Sequence, residues 1–380
     1  MDFKKHNEEV KIIWDAYYAR KPIRVPMKIA ANARVFLLDP KLNKNNISFK
    51  EYFENPEIML NVQVQFEKWK RFNLTDDSEM GLPEKWTPGV DMQNVVEACW
   101  YGARINYREN QCPDTEPILA GDKKNLLFDR GIPDPMSGIH KTILEYIEYY
   151  KKKAKEGVKY EGLEINGRGR LGAWTEGVIT AAMNLRGSEI LLDIYEDPEY
   201  VHKLFDFIAE ATIKKARYFR EYYGEPLMTE DCGLGDDSIA LLSVDMMKEF
   251  VLPYLKKIYK ALSTGKKPTG THLCGDATRH FKTFMEEVYT RSFETGFPVD
   301  FTWLRKEVGP DVEIIGGPKV SLLLDGSKEE VRKETERILA SGIMEGGRFI
   351  LREGNNLAPR TPLENISAMY EACKEQGKYR

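Results

Sequence analysis

A histidine and a cysteine stand two residues apart in the β-rich run PTGTHLC at residues 268–274. Side chains two residues apart on a strand point to the same face, so the imidazole of His272 and the thiolate of Cys274 could bind one metal ion together. A nitrogen ligand and a sulfur ligand suit zinc. A buried strand with a histidine and a small apolar cysteine would show the same pattern, so the pair alone does not establish a site.

A catalytic zinc needs three protein ligands and an open position, so another part of the chain must supply the third ligand. The candidates follow other β-rich runs: Glu230, Asp231, Cys232, Asp236, Asp237, Glu294 and Glu353. The sequence does not choose among them. The predicted metal ligands are His272, Cys274, Asp231 and Asp237. The predicted catalytic residues are His272, Glu230 and Asp231.

Other polar and aromatic side chains near predicted strand ends could bind a substrate. An aromatic ring at the mouth of the site would stack on a flat aromatic substrate, and a few polar groups would orient it. The predicted substrate-binding residues are Asn166, Arg168, Trp174, Glu353 and Asn355.

The loop from Gly167 to Gly172 has the form G-x-G-x-x-G, and Glu189 follows at about the distance expected of a ribose-binding acid. The pattern suggests a nicotinamide-dependent oxidoreductase as an alternative function. The motif is short, however, and Glu189 does not end a β-rich run. We prefer to interpret the loop as a glycine-rich connection after a strand.

The elements that position these residues alternate between β-rich and helix-patterned runs. The six β-rich runs are residues 160–166, 226–231, 268–274, 290–295, 312–317 and 348–353. Each precedes a helix-patterned run, as in a parallel α/β barrel, whose functional groups lie at the carboxyl ends of its strands. A strand at 23–30 and further structure in the irregular segment 80–132 would complete eight units. The predicted fold is therefore α/β, a (β/α)8 TIM barrel with N-terminal helical and loop additions.

Helix signals support the same arrangement. A helix is predicted over residues 57–72, and Asp197-Pro198 supplies an N-cap and a first-turn proline for a long amphipathic helix. The segment Thr361-Pro362-Leu363-Glu364 has the form of a capping box before the last helix. We expect one domain over residues 1–380, with 1–80 as an N-terminal helical extension and first strand.

Composition excludes several classes of function. The chain of 380 residues is 42% hydrophobic and 31% charged, with a formal net charge of -4 and no basic stripe, so we expect no nucleic-acid partner. No stretch reaches the roughly 18 apolar residues of a membrane helix. The N-terminus lacks the pattern of a signal peptide, and the five scattered cysteines do not form a disulfide framework. We expect a cytoplasmic protein with reduced cysteines.

Four segments, residues 185–198, 241–254, 316–326 and 354–365, resemble the uroporphyrinogen decarboxylase-like superfamily. The most specific of them ends in A-P-R-T-P-L-E-N at 358–365. The resemblance covers roughly residues 160 to 375, and the first 150 residues match poorly. It implies a (β/α)8 barrel and one of two activities, tetrapyrrole decarboxylation or methyl transfer to or from corrinoid proteins or coenzyme M.

Two motifs separate these activities. Decarboxylases of the superfamily carry an R-Q-A-G-R element for the tetrapyrrole propionates, whereas residues 22–32 here are PIRVPMKIAAN. The zinc methyltransferases carry H-x-C, which His272 and Cys274 match, but their third ligand, a cysteine, falls on Asn355. Either an acid such as Glu230, Asp231 or Asp237 replaces it, or no metal is bound and His272 acts as an acid or hydrogen-bond donor.

The resemblance therefore implies a corrinoid-dependent methyltransferase. A site with an acid in place of a thiolate favours oxygen substrates, so we expect a methoxylated aromatic donor, zinc, and a corrinoid carried by a partner protein. The chain lacks the D-x-H-x-x-G signature of a corrinoid-binding module, which also points to a separate corrinoid protein. Alternatives are a tetrapyrrole decarboxylase, the oxidoreductase above and a non-catalytic binding barrel. We expect a monomer or a homodimer.

Overall fold

The centre of the fold is a five-stranded parallel sheet. The computed structural model describes residues 2–172, 175–296 and 298–379. The strands in these ranges are β1 (Ile105–Asn106), β2 (Asp114–Thr115), β3 (Lys159–Tyr160), β4 (Leu163–Glu164), β5 (Leu234–Gly235), β6 (Thr269–Leu273), β7 (Thr290–Thr295), β8 (Glu313–Gly316) and β9 (Phe349–Leu351). The sheet has the order β5-β6-β7-β8-β9, while β1-β2 and β3-β4 are two-stranded antiparallel pairs.

Helices surround the sheet and fill the N-terminal half. Those before β5 are α1 (Phe3–Tyr18), α2 (Ala33–Leu37), α3 (Phe49–Glu54), α4 (Pro56–Asn73), α5 (Val96–Trp100), α6 (Leu126–Arg130), α7 (Ile139–Lys155), α8 (Val178–Arg186), α9 (Glu189–Glu196) and α10 (Pro198–Tyr222). Those after it are α11 (Val244–Met246), α12 (Leu252–Leu262), α13 (Phe281–Glu287), α14 (Phe301–Val308), α15 (Val320–Asp325), α16 (Lys328–Ile338) and α17 (Leu363–Gln376). Two π-helical turns, Met247–Val251 and Leu339–Ile343, adjoin α12 and α16.

The alternation of strand and helix from β5 onward confirms an α/β fold. Consecutive strands are neighbours in the sheet, and at least one helix separates each pair along the chain. The β-rich runs at 268–274, 290–295, 312–317 and 348–353 correspond to β6 to β9. One parallel bridge, Met27 with Leu351, extends the sheet toward the predicted strand at 23–30. The strands in the described ranges form an open sheet, so the closed eight-stranded barrel stays a prediction.

Two strand predictions were confirmed only in part: Ile165 forms one parallel bridge with Trp86, and Thr229 forms one with Ser263, but neither run is a continuous strand. The run at 160–166 contains the hairpin β3-β4, because Glu161 (φ 46°) and Gly162 (φ 83°) have the left-handed backbone of a tight hairpin turn. The run at 226–231 ends before β5, which begins at Leu234. The carboxyl end of β5 is therefore at Gly235, and the acids that follow it are Asp236 and Asp237.

Two of the helix predictions are confirmed, and one capping prediction is wrong. α4 spans Pro56–Asn73, close to the predicted 57–72. α10 begins at Pro198, and the side chain of Asp197 accepts the backbone N–H of Tyr200, as predicted. The capping box before α17 was wrong, because the Thr361 hydroxyl donates to the Ala358 carbonyl and does not cap the helix. None of the helices in the described ranges combines the length and the apolar character needed to cross a membrane.

Candidate active site

The register of the parallel sheet aligns the candidate residues in rows. Gly235 pairs with His272, and His272 pairs with Glu294, so these three positions form one row across β5, β6 and β7. Asp237 and Cys274 stand two residues further along the chain than Gly235 and His272. Asp237 and Cys274 lie just past the carboxyl ends of β5 and β6, and their side chains meet that of His272 there.

Three potential ligand atoms converge at these positions. One side-chain atom each from Asp237, His272 and Cys274 lies within 4.8 Å of the other two. Nε2 of His272 is 2.8 Å from Sγ of Cys274 and 3.8 Å from Oδ1 of Asp237. The backbone N–H of Cys274 donates to Oδ1 of Asp237 at 2.8 Å, which ties the loop after β5 to β6. One oxygen, one nitrogen and one sulfur donor fit a zinc site with three protein ligands.

A second layer of side chains orients the histidine. Nδ1 of His272 is 2.7 Å from Oε1 of Glu294, so the other ring nitrogen, Nε2, faces Cys274 and Asp237. A carboxylate on the second ring nitrogen is the usual support of a metal-binding histidine. The Glu294 carboxylate also pairs with Nη1 of Arg352 at 2.6 Å, and Nη2 of Arg352 donates to the Asn355 carbonyl.

These contacts set the charges of the site. Burial acts to lower the pKa of His272, but its bonds to Cys274 and Glu294 raise that pKa to about 10. Burial acts to raise the pKa of Glu294, but His272 and Arg352 hold it below its usual range. A metal ion entering the site must therefore displace the imidazole proton, whereas Glu294 is already ionised.

A cavity of about 560 Å³ opens beside the three donors. Asp237, His272 and Cys274 lie in its lining, together with Asn355 and Asn356 from the loop after β9. Residues of the N-terminal half also line it, among them Arg34, Asn94, Glu176 and Asn184. The cavity therefore combines a metal-capable wall from the sheet with polar side chains from the first 190 residues.

Asp236, adjacent to the candidate ligand Asp237, holds a helix in place. It is fully buried, and its carboxylate accepts the backbone N–H groups of Ile179 and Thr180 at 3.0 and 2.9 Å, and the Thr180 hydroxyl at 2.7 Å. These groups belong to the first turn of α8, which Asp236 caps from another element. Gly177, just before α8, has a φ of +91°, and a Cβ there would lie 2.3 Å from the Gly235 carbonyl oxygen.

The structure does not bring Glu230 and Asp231 to the site. Both precede β5, at the end of the strand away from Asp237, and both are exposed. The Glu230 carboxylate pairs with the ammonium group of Lys267 at 2.5 Å. The two predictions were misplaced because the strand lies further along the chain than its β-rich run indicated.

The predicted substrate-binding residues are scattered. Asn355 lines the cavity, whereas Glu353 is buried behind it and accepts the backbone N–H of Ala30 at 3.0 Å. Burial raises the pKa of Glu353 to about 8. Asn166 accepts the backbone N–H of Arg168, whose side chain is exposed. Trp174 lies outside the described residues.

The glycine-rich loop does not have the context of a dinucleotide fingerprint. It follows the antiparallel strand β4, and the next helix, α8, begins only at Val178. Glu189 is the first residue of α9 and does not end a strand. The structural setting on which that interpretation depends is therefore missing in this part of the chain.

Sequence analysis missed several residues of the site. Arg352 is one position before Glu353 at the end of β9, where alternation along the strand could have identified it. Glu176 and Asn184 lie in the segment after the glycine-rich loop, where no predicted strand directed attention to them. Arg34 lies in α2, in the half that sequence resemblance covered least.

Comparison with solved structures shows a similar fold. A structure described as a methyltransferase from Methanosarcina mazei superposes with a TM-score of 0.64 at 19% sequence identity, covering 96% of this chain and 98% of that one. At this identity the likeness concerns the fold alone.

Comparison with known sequences finds a methyltransferase and a decarboxylase among the relatives of this chain. The methylated-thiol--coenzyme M methyltransferase of Methanosarcina mazei is 28% identical over 181 residues, 47% of this chain and 46% of that protein, so the alignment spans about half of this relative. The uroporphyrinogen decarboxylase of Nostoc punctiforme is 25% identical over 340 residues, 86% of this chain and 85% of that protein.

A family model extends the likeness to almost the whole chain. The model for uroporphyrinogen decarboxylase (URO-D) matches residues 12–376. This match corrects the expectation that the first 150 residues resemble the family poorly. The chain belongs to the uroporphyrinogen decarboxylase (URO-D) family.

Proposed function

We propose that the protein is a methyltransferase that moves a methyl group from a methoxylated aromatic compound to Co(I) of a corrinoid protein. The observation that carries the proposal is the convergence of Asp237, His272 and Cys274 on the wall of a cavity. A metal-capable site of this kind suits methyl transfer better than decarboxylation. The similarity to a methyltransferase of Methanosarcina mazei supports the same branch of the family.

The donor set favours an oxygen substrate. A site with three soft ligands suits a thiolate, whereas Asp237 contributes a hard carboxylate oxygen beside the thiol and the imidazole. When bound, zinc would supply a Lewis acid for the ether oxygen. Asp237, His272 and Cys274 would hold it, and Glu294 would keep the imidazole of His272 turned toward it.

The chemical difficulty is the leaving group. As the methyl carbon moves to Co(I), the electron pair of its bond to oxygen stays on the phenolic oxygen, which becomes strongly basic. Stabilisation of that developing charge is the largest contribution an enzyme can make to such a step. The polar lining of the cavity provides groups for this purpose, and its opening provides the route by which a corrinoid protein would approach.

The experiment mixes the purified, zinc-loaded protein with a reduced corrinoid protein and guaiacol, and follows the Co(I) absorbance. We expect loss of Co(I) together with release of an equal amount of demethylated phenol. Cys274→Ala serves as the control and is expected to be inactive. Transfer from a methylated thiol but not from any ether would overturn the oxygen substrate, and no transfer from ether, thiol, amine or methanol would overturn the function.

A further inference from the structure

Glu176 is an acidic residue of the cavity that the metal site does not use. It lies in the segment that leads into α8 and lines the same cavity as Asp237, His272 and Cys274. It also lines a second cavity of about 340 Å³, which lies against α5, α7 and the glycine-rich loop. Glu176 therefore contributes to the lining of both cavities.

Two neighbours fix the position of Glu176. Its Oε2 accepts the side-chain amide of Asn184 at 2.7 Å, and its backbone N–H donates to the Glu97 carboxylate at 2.7 Å. Glu97 is buried and pairs with the equally buried ammonium group of Lys215 at 3.2 Å. Lys215 thus compensates the charge of Glu97, and the amide of Asn184 leaves Oε1 of Glu176 as the oxygen that can carry a proton.

The surroundings of Glu176 favour its neutral form. Burial, followed by the negative charge of Glu97, raises the pKa of Glu176 to about 8, although Asn184 and Lys215 act against the shift. The charged groups that face it are Glu97 on α5, Lys215 on α10 and Asp237 after β5. This environment favours a protonated carboxyl group at the cavity wall, which is the state a general acid requires.

We propose that Glu176 is the catalytic acid that protonates the leaving oxygen of the substrate. This inference rests on the proposed function. The methyl carbon forms its new bond to Co(I), the carbon–oxygen bond breaks, and its electron pair remains on the phenolic oxygen. That oxygen takes the proton from Oε1 of Glu176, so a neutral phenol leaves and a carboxylate remains. The carboxylate regains a proton from water through the second cavity.

Other acids of this region are less suited to the role. Asp236 uses both carboxylate oxygens to hold the first turn of α8. Glu353 is buried, and its carboxylate is held by Ala30 and Arg352. Glu294 supports His272 and is ionised. Asp236 also lines the cavity, and burial raises its pKa to about 7, but both of its carboxylate oxygens are occupied. Oε1 of Glu176, by contrast, accepts no hydrogen bond from the described residues.

The test compares leaving groups in wild-type protein and Glu176→Gln. Glutamine can still accept the amide of Asn184, so the fold should be kept. With guaiacol we expect the variant to lose about 10²–10⁴-fold in rate, the usual contribution of a general acid. With a nitro-substituted methyl aryl ether, whose phenolate is a much weaker base, we expect a far smaller loss. The matched control Glu116→Gln, on the exposed side of the loop after β2, should behave as wild type with both ethers.

The outcomes separate the two proposals. An equal loss with both ethers would assign Glu176 a structural role and overturn the inference while leaving the function in place. A wild-type protein that is inactive with every ether would overturn the function, and the inference with it. Infrared spectroscopy gives a readout that needs no turnover: the difference spectrum of wild type minus Glu176→Gln at neutral pH should contain a protonated-carboxyl band. Absence of that band from the difference spectrum would also overturn the inference.

Discussion

Asp231 and Asp237 are six positions apart in the chain, but only Asp237 reaches the candidate ligands at the carboxyl end of β5. We expect Asp237→Ala to lose most of the zinc that the wild-type protein binds, because a three-ligand site then retains only two donors. Asp231→Ala should keep about one zinc per chain. Metal analysis of both variants, purified without chelator, measures the difference. Zinc lost from Asp231→Ala and kept in Asp237→Ala would contradict this assignment.

Because Glu294 orients His272, we expect Glu294→Gln to weaken zinc binding without abolishing it. Glu294→Gln should bind zinc about 10–100-fold more weakly than wild type, because the imidazole loses the carboxylate that orients it and raises its basicity. Competition with a chromophoric chelator measures the affinity. Glu116→Gln provides the comparison for the same chemical change on the surface. An unchanged affinity in Glu294→Gln would show that the 2.7 Å contact does not tune the site.

Glu353 predicts a dependence of stability on pH. Burial raises its folded-state pKa to about 8, so the folded protein binds this proton more tightly than the unfolded chain does. The stability that Glu353 contributes is therefore complete below the unfolded pKa of 4.5 and is lost as pH rises through about 8. Urea unfolding should show wild type losing stability relative to Glu353→Gln over this range. A constant difference between the two proteins would contradict the shift.

At the scale of residues, sequence analysis identified the candidate ligands His272 and Cys274 but not the groups that contact them. His272 lies on β6 and Cys274 follows directly after it, so their convergence agrees with the two-residue period of an extended chain. Asp237 was one of several acids, and only the position of β5 distinguishes it from Asp231. The roles of Arg352 and Glu176 depend on contacts between segments far apart in the chain, which no local pattern specifies.

At the scale of elements, the junction between β5 and α8 is a close backbone approach beside the site. A Cβ at Gly177 would lie 2.3 Å from the Gly235 carbonyl oxygen and 2.4 Å from Cβ of Asp236. Gly177→Ala should therefore destabilise the fold by well over the roughly 1–2 kcal/mol that a left-handed backbone costs a non-glycine residue.

The matched control for this prediction is Gly309→Ala. Gly309 has a similar φ of +82°, but a Cβ there meets nothing within 4 Å. That variant should lose only the backbone cost of about 1–2 kcal/mol. Urea unfolding of both variants measures the difference, and equal losses would show that the close approach of α8 to β5 is not rigid.

The elements were predictable where their patterns were long. β6 to β9 and α10 have continuous β-rich or amphipathic runs with clear ends, and the structure has them near the predicted positions. β5 has only two residues, Leu234 and Gly235, too few for an alternating pattern to mark it. Residues 160–166 appeared to form one strand because a tight turn of only two residues divides them.

At the scale of the whole molecule, zinc binding should stabilise the folded chain. The three donors lie on segments that meet only in the folded sheet, so the metal binds the native state in preference to the unfolded one. At a free zinc concentration of 100 times the dissociation constant, we expect about 2.7 kcal/mol of added stability. Thermal unfolding with and without zinc measures it. His272→Ala should show no such shift, and an equal shift in that variant would indicate binding elsewhere.

The set of residues that line the cavity was the feature least predictable from the sequence. Its lining joins Arg34, Asn94 and Asn184 to side chains beyond residue 230, across separations that depend on the packing of both halves. The resemblance at residues 160 to 375 indicated a barrel and a metal chemistry. The wall contributed by the N-terminal half could not be derived from it.

The row formed by Gly235, His272 and Glu294 across β5, β6 and β7 limits which segments of this protein can change in length. A one-residue insertion in β6 would turn His272 and Cys274 to the opposite face of the sheet, so the spacing within these strands is fixed. The N-terminal segments around Arg34 and Asn94 lie outside these strands, so changes in the loops that connect them need not move the sheet. For the proposed methyltransferase, changes in these N-terminal segments would alter the shape of the substrate cavity without moving the candidate ligands.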